Sequence, residues 1–156
     1  MMLRGYRRQD LPLLTGPWPA GELLGLPGTD RPALAEPTLV PPPTDDSVEL
    51  CVVDEVGFVR YSEFDWVHRR ARLEVGLLPG AGDDAEVLLK TALNHGFRSL
   101  NLHRVHGRVT PAAGPGTLPA QLLTDAGFTL EAEIPGATRF AGRSVPQQLW
   151  GALNHG

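Results

Sequence analysis

An α/β fold is what this sequence predicts, and three observations carry that reading. Residues 72–105 spell a strand, a glycine-containing turn, an amphipathic helix and the start of a second strand, which is one βαβ unit. Apolar runs that suit strands lie on either side of this unit, at Val48 to Val53 and Val56 to Tyr61 before it and at Phe128 to Ile134 after it. The chain has 156 residues with 42% hydrophobic content, enough for one compact domain, 1–156, with a real core.

Each element has a local reason. Leu3 to Arg8 is a short strand candidate, and Leu11, Leu13 and Leu14 suggest a turn of helix after it. A proline-rich segment follows at about residues 15–46; residues 11–46 hold nine of the fifteen prolines, which fits neither a long helix nor a central strand. An ordered lid over a pocket and a surface loop both remain open there, and Trp18, Leu23, Leu24 and Leu26 favour packing on the body. Asp54-Glu55 joins the next two strands as a hairpin, and a strand from Arg70 to Leu77 leads into the βαβ unit.

In that unit Ala85, Leu88, Leu89, Ala92, Leu93, Gly96, Phe97 and Leu100 recur at helical spacing and form one stripe facing a sheet. Asp83 stands where an N-cap belongs, with Glu86 completing a capping-box pattern. The second strand runs through Leu102 to Val109, and Leu118 to Ala126 is a short helix with Pro119 in its first turn and Gly127 at its C-terminal end. The tail is ambiguous: Ser144 and Gln147 suit a helix cap, whereas Leu149, Gly151 and Leu153 alternate as in a strand.

Charge and composition exclude several classes. A net charge of −4 and a sequence pI near 5.7 speak against a non-specific nucleic-acid binder. Cys51 is the only cysteine, so a disulfide framework and a thiolate-rich metal site are excluded. His95 has no second histidine at i±4, so no metal site is expected. No apolar run approaches membrane-spanning length and the N-terminus lacks a secretory hydrophobic segment, which makes the cytoplasm the expected location.

Several phrases resemble the GCN5-related N-acetyltransferase superfamily, and most of all its ribosomal-protein-alanine acetyltransferase-like branch. They are Gly57-Phe58-Val59, the run Ala71 to Gly76, the run Phe97 to Val105, and Ala126-Gly127-Phe128 followed by Leu130-Glu131. The resemblance covers roughly residues 47–135 and implies a mixed, splayed central β-sheet of about six or seven strands flanked by helices, with acetyl-CoA entering between the fourth and fifth strands. The superfamily's pyrophosphate loop, Gln/Arg-x-x-Gly-x-Gly/Ala, would fall on residues 80–85, where only Ala85 fits and Asp83 and Asp84 bring negative charge towards a doubly charged group. The asparagine and tyrosine that such proteins often carry after the fifth strand are also missing.

Candidate chemistry gathers on the strands. Glu74 falls where this branch often carries a general base, and the competing reading pairs it with Arg70 or Arg72 on the same strand face. Arg104, His106 and Arg108 share one face of the next strand and, with Arg72, make a mostly cationic surface that either suits a carboxylate or phosphate or is the solvent face of the sheet, where strand arginines usually reach water. Tyr61, Asp65 and Trp66 cluster after the third strand, where a pocket wall is expected.

The resulting expectation assigns catalysis to Glu74, His106, Asp65 and Tyr61, and substrate binding to Arg72, Arg104, Trp66 and Trp18. It favours a reworked, CoA-independent small-molecule enzyme or binder, plausibly in secondary metabolism, with no cofactor and with acid-base chemistry such as elimination, cyclisation or isomerisation. The alternative is an acetyl-CoA-dependent N-acetyltransferase acting on a small amine or a protein N-terminus, with Gly82, Asp83, Asp84 and Ala85 binding the cofactor. A small-molecule substrate is the expected partner, with a homodimer left open and neither nucleic acid nor membrane expected.

Overall fold

The computed structural model describes residues 1–15, 43, 46–78, 80–111, 118–140 and 142–155. Seven strands form one mixed sheet: β1 (Arg4–Gly5), β2 (Glu49–Val53), β3 (Gly57–Asp65), β4 (Arg70–Leu77), β5 (Arg104–Val109), β6 (Thr129–Phe140) and β7 (Arg143–Leu153), in the order β1-β2-β3-β4-β5-β7-β6. Among the described residues three α-helices accompany them, α1 (Leu11–Thr15), α2 (Ala85–Asn94) and α3 (Ala120–Ala126). Among the described residues no helix is long and apolar enough to cross a membrane. The proline-rich segment, with Trp18 and the lid reading, lies outside the described residues.

All neighbouring pairs are antiparallel except β4 and β5. That parallel pair is held at only Arg70↔Arg104, Ala71↔Val105 and Arg72↔His106, after which the two strands part. Five residues of β4 and three of β5 therefore run on past their last shared pair, and the sheet is splayed there.

The helix stripe behaves as its spacing requires: Ala85, Leu88, Leu89, Ala92 and Leu93 are buried, while Val87 on the other side is exposed. α2 covers the face of the sheet that carries Val59, Tyr61, Leu73 and Val75, and α3 packs beside it. At its C-terminal end α2 widens into a π-helical turn, His95–Ser99, where Leu100 N–H reaches the His95 carbonyl at 3.1 Å.

Two local expectations are corrected and one left open is decided. α2 is preceded by a 3₁₀ turn, Gly82–Asp84, so Asp83 lies inside that turn, and the N-cap is Asp84, which makes no side-chain cap bond among the described residues. Pro119 is the N-cap of α3 rather than part of its first turn, whereas Gly127 does close that helix, in the left-handed region at φ 111. The ambiguous tail is a strand inserted between β5 and β6. Pro146 is tolerated there because it lies beyond the last β5 pair, Val109↔Gln148, and opposite an irregularity in β6 between Ile134 and Thr138.

Candidate functional site

Strand alternation divides the predicted site residues between the two faces of the sheet. Arg60, Arg72, Glu74, Arg104, His106 and Arg108 project from the face opposite α2, since Arg60 pairs with Glu74 and Arg72 pairs with His106. Glu74, Arg72, Arg104 and His106 are therefore brought together at the point where β4 and β5 part.

Glu74 is the deepest polar side chain of this group, with 1% exposure. Its Oε2 accepts from Arg60 Nη1 at 3.0 Å, and Arg72 Nε stands 3.5 Å from Oε1. Burial raises its pKa above the ordinary 4.5, with the two guanidiniums pulling the other way. The ion-paired reading of Glu74 thus holds for Arg72, whereas Arg70 turns instead to Asp65 at 3.2 Å. Arg60 was not anticipated as a partner. Its signal was present in the hairpin, because a residue on β3 directly opposite Glu74 must share its face.

His106 is half-buried, and burial followed by the nearby Arg104 lowers its pKa below 6.5. Its ring is thereby kept neutral near neutral pH and able to accept a proton. Arg104 is held by a forked pair of bonds to Glu131, reached from β6 across β7, which lowers the Glu131 pKa below its usual range. Arg60 Nε is buried and has no hydrogen-bond partner among the described residues.

Two of the residues assigned to catalysis, Tyr61 and Asp65, lie away from this group. Tyr61 lies on the α2 face, fully buried, with its hydroxyl donating to the Ala92 carbonyl at 2.6 Å, and burial pushes its pKa far up. It is a core residue on the wrong side of the sheet from Glu74. Asp65 ends β3 at the pair with Arg70, four residues down β4 from Glu74, and there it accepts from His68 N at 3.0 Å and contacts His68 Nδ1 at 3.0 Å. That is a turn-closing role. Trp66, assigned to the substrate, is exposed and stacks on Phe64 at 4.5 Å in the same turn. Trp18 lies outside the described residues.

At the open end of the splay, Gly82 to Ala85 form the turn that starts α2. Among the described residues, nothing lies within 4 Å of the side-chain positions at Gly80 and Gly82. Ala81, Asp84 and Ala85 N–H are bonded to the Leu78, Ala81 and Gly82 carbonyls, and the Gly82 and Asp83 N–H groups precede that ladder, as at a helix start that receives an anion.

No family model matches the sequence, and no curated protein does. Solved structures do match. The spermidine/spermine N-acetyltransferase SpeG from Vibrio cholerae in complex with manganese ions superposes with a TM-score of 0.73 at 20% identity, over 97% of this chain and 91% of that one. The fold is that of the GCN5-related N-acetyltransferases. A SpeG chimera from Vibrio cholerae and hSSAT gives a TM-score of 0.72 at 21% identity over 97% and 94% of the two chains. A SpeG mutant from the same organism reaches 26% identity with a TM-score of 0.62, over 70% of this chain and 66% of that one, just under two thirds of its length. The expectation of a CoA-independent protein of secondary metabolism with no cofactor is corrected by this finding: a GCN5-related N-acetyltransferase fold, with its β4–β5 opening in place, has N-acetyltransferases as its structural neighbours.

Proposed function

We propose that this chain is an acetyl-CoA-dependent N-acetyltransferase whose acceptor is an amine on a small molecule or a protein N-terminus. The observation that carries the reading is the parting of β4 and β5 next to the turn that opens α2, in a fold shared with N-acetyltransferases. Acetyl-CoA supplies its acetyl group as a thioester, which a neutral amine can attack. The turn at Gly80 and Gly82 offers the cofactor's pyrophosphate the Gly82 and Asp83 amides, since Asp84 N–H and Ala85 N–H are taken by the Ala81 and Gly82 carbonyls.

The chain's own residues then take the remaining roles. His106, kept neutral by burial, accepts a proton from the attacking amine, and Glu74 provides a second acceptor held in place by Arg60 and Arg72. Arg72 and Arg104 orient the acceptor. Four arginines (Arg60, Arg72, Arg104 and Arg108) stand on this face against three carboxylates: Glu74 and Glu131, both engaged by arginine, and Glu63, whose charge acts on Glu74 and His106. Such a lining favours an amine carried on a neutral or anionic body, such as an amino acid or a peptide, over a polycation.

The test is a titration of the protein with acetyl-CoA, followed by an assay of CoA release with spermidine, amino acids and N-terminal peptides as acceptors. A ligand at 100-fold its dissociation constant stabilises by about 2.7 kcal/mol, so a clear rise in melting temperature is expected. Absence of both a thermal shift and a binding isotherm would sink the proposal.

A further inference from the structure

On the α2 face, away from the Glu74 cluster, three side chains of ligand type converge. Glu49 and Cys51 are two residues apart on β2 and leave the same face, and His95 stands where α2 passes into its π-helical turn. His95 Nε2 is 3.1 Å from Glu49 Oε2 and 3.9 Å from Cys51 Sγ, and the three atoms lie within 4.8 Å of one another. Cys51 is buried, while the imidazole and the carboxylate are partly exposed.

Both contacts fall on one ring nitrogen. A thiol–imidazole–carboxylate relay needs the thiol on one nitrogen and the carboxylate on the other, because a single Nε2 carries either a proton or a lone pair. Three donor atoms around a common point are instead the outline of a cation site. With Zn–S of about 2.3 Å and Zn–N or Zn–O of about 2.0–2.1 Å, tetrahedral ligation places S and N roughly 3.6 Å apart and N and O roughly 3.3 Å apart. The distances of 3.9 and 3.1 Å come within a few tenths of an ångström of that.

We propose that Glu49 Oε2, Cys51 Sγ and His95 Nε2 form a three-ligand site for a divalent cation of the zinc class, with water in the fourth position. Thiolate with imidazole selects a borderline metal over magnesium or calcium. On binding, the Cys51 S–H bond breaks and its proton goes to solvent. The freed sulfur pair and the Nε2 pair of neutral His95 then bond the metal, with no change of oxidation state. Because the thiol must give up its proton to bind, affinity rises with pH. The Tyr61 ring, 5.7 Å from the His95 ring, backs the imidazole. The bound cation ties β2 to the C-terminal end of α2, at the opposite end of the helix from the Gly82–Asp84 turn. The site is independent of the acetyltransferase reading and stands or falls without it.

Cobalt(II), a spectroscopic stand-in for zinc, is titrated into the metal-free full chain. The expected result is a thiolate-to-cobalt charge-transfer band with the intense visible bands of tetrahedral cobalt, both erased by added zinc. Cys51→Ser should abolish the charge-transfer band, and His95→Gln and Glu49→Gln should each raise the dissociation constant more than about tenfold, since even outer-shell changes cost that much. Circular dichroism confirms that each variant is folded, and His95, partly exposed, is the safest to replace. Wild-type protein without the thiolate band, or a folded His95→Gln that binds cobalt as tightly as wild type, overturns the site.

Discussion

At the scale of single residues, charge and burial set what each side chain can do. Asp10 is the clearest case: Arg4 grips both of its oxygens, at 2.7 and 2.8 Å, and the Arg7 N–H adds a bond at 2.7 Å. The Arg4 pair holds the Asp10 carboxyl at about 2, below its ordinary 3.8. A depressed carboxylate contributes stability above its unfolded value that is lost as pH falls through the folded one. Asp10→Asn should therefore lower the melting temperature at pH 7, and the gap to wild type should close as pH approaches 2. Equal gaps at pH 7 and pH 2 would contradict this. Glu74→Gln tests the other side of the sheet: it keeps the shape but removes the charge that balances Arg60 and Arg72. It should cut turnover about 10²-fold or more if Glu74 takes part in proton removal, with melting temperature measured alongside to separate a loss of fold.

Elements decide which of these letters meet. The βαβ unit was legible because its evidence is local: helical spacing from Ala85 to Leu93 buries one stripe whatever the rest of the chain does. The tail was not, since residues 143–153 become a strand only by pairing with β5 and β6, both distant in sequence. Tyr61 was misplaced for a related reason. Its nearness to Asp65 in sequence suggested one pocket wall, but β3 shifts register between Ser62 and Asp65, and the strand's pleat sends Tyr61 into the core. Tyr61→Phe should cost about 1 kcal/mol by unfolding measurement, because the Ala92 carbonyl keeps a bond from His95 N–H, and it should leave turnover intact. A large loss of turnover without loss of stability would return Tyr61 to the site. The hairpin offers a stricter test. A Cβ at Gly57, φ 156, would fall on the Gly76 carbonyl across the β3–β4 pair, so Gly57→Ala should destabilise by about 2 kcal/mol or more.

For the molecule as a whole, the titrating groups divide into sets that act in different pH ranges. Asp10, Asp54, Asp65 and Glu131 all have lowered pKa values through bonds to arginine or histidine, so the folded chain holds fewer protons than the unfolded one in acid. Stability from these four is present above their ordinary values of 3.8 to 4.5 and drains away below. Glu74, raised by burial, works the opposite way: its contribution is greatest in acid and fades as pH rises through its folded value, offsetting part of that loss. His106 acts earlier. Its folded pKa lies below 6.5, so the unfolded chain takes up a proton first and stability begins to fall as pH drops through 6.5. Melting temperature plotted against pH should therefore show a shallow decline starting near 6.5 and a steeper one below about 4. His106→Gln should flatten the first decline and leave the second. If the shallow phase persists in that variant, His106 is not the buried neutral base at the β4–β5 opening, and the proton acceptor of the proposed acetyl transfer must be Glu74 alone.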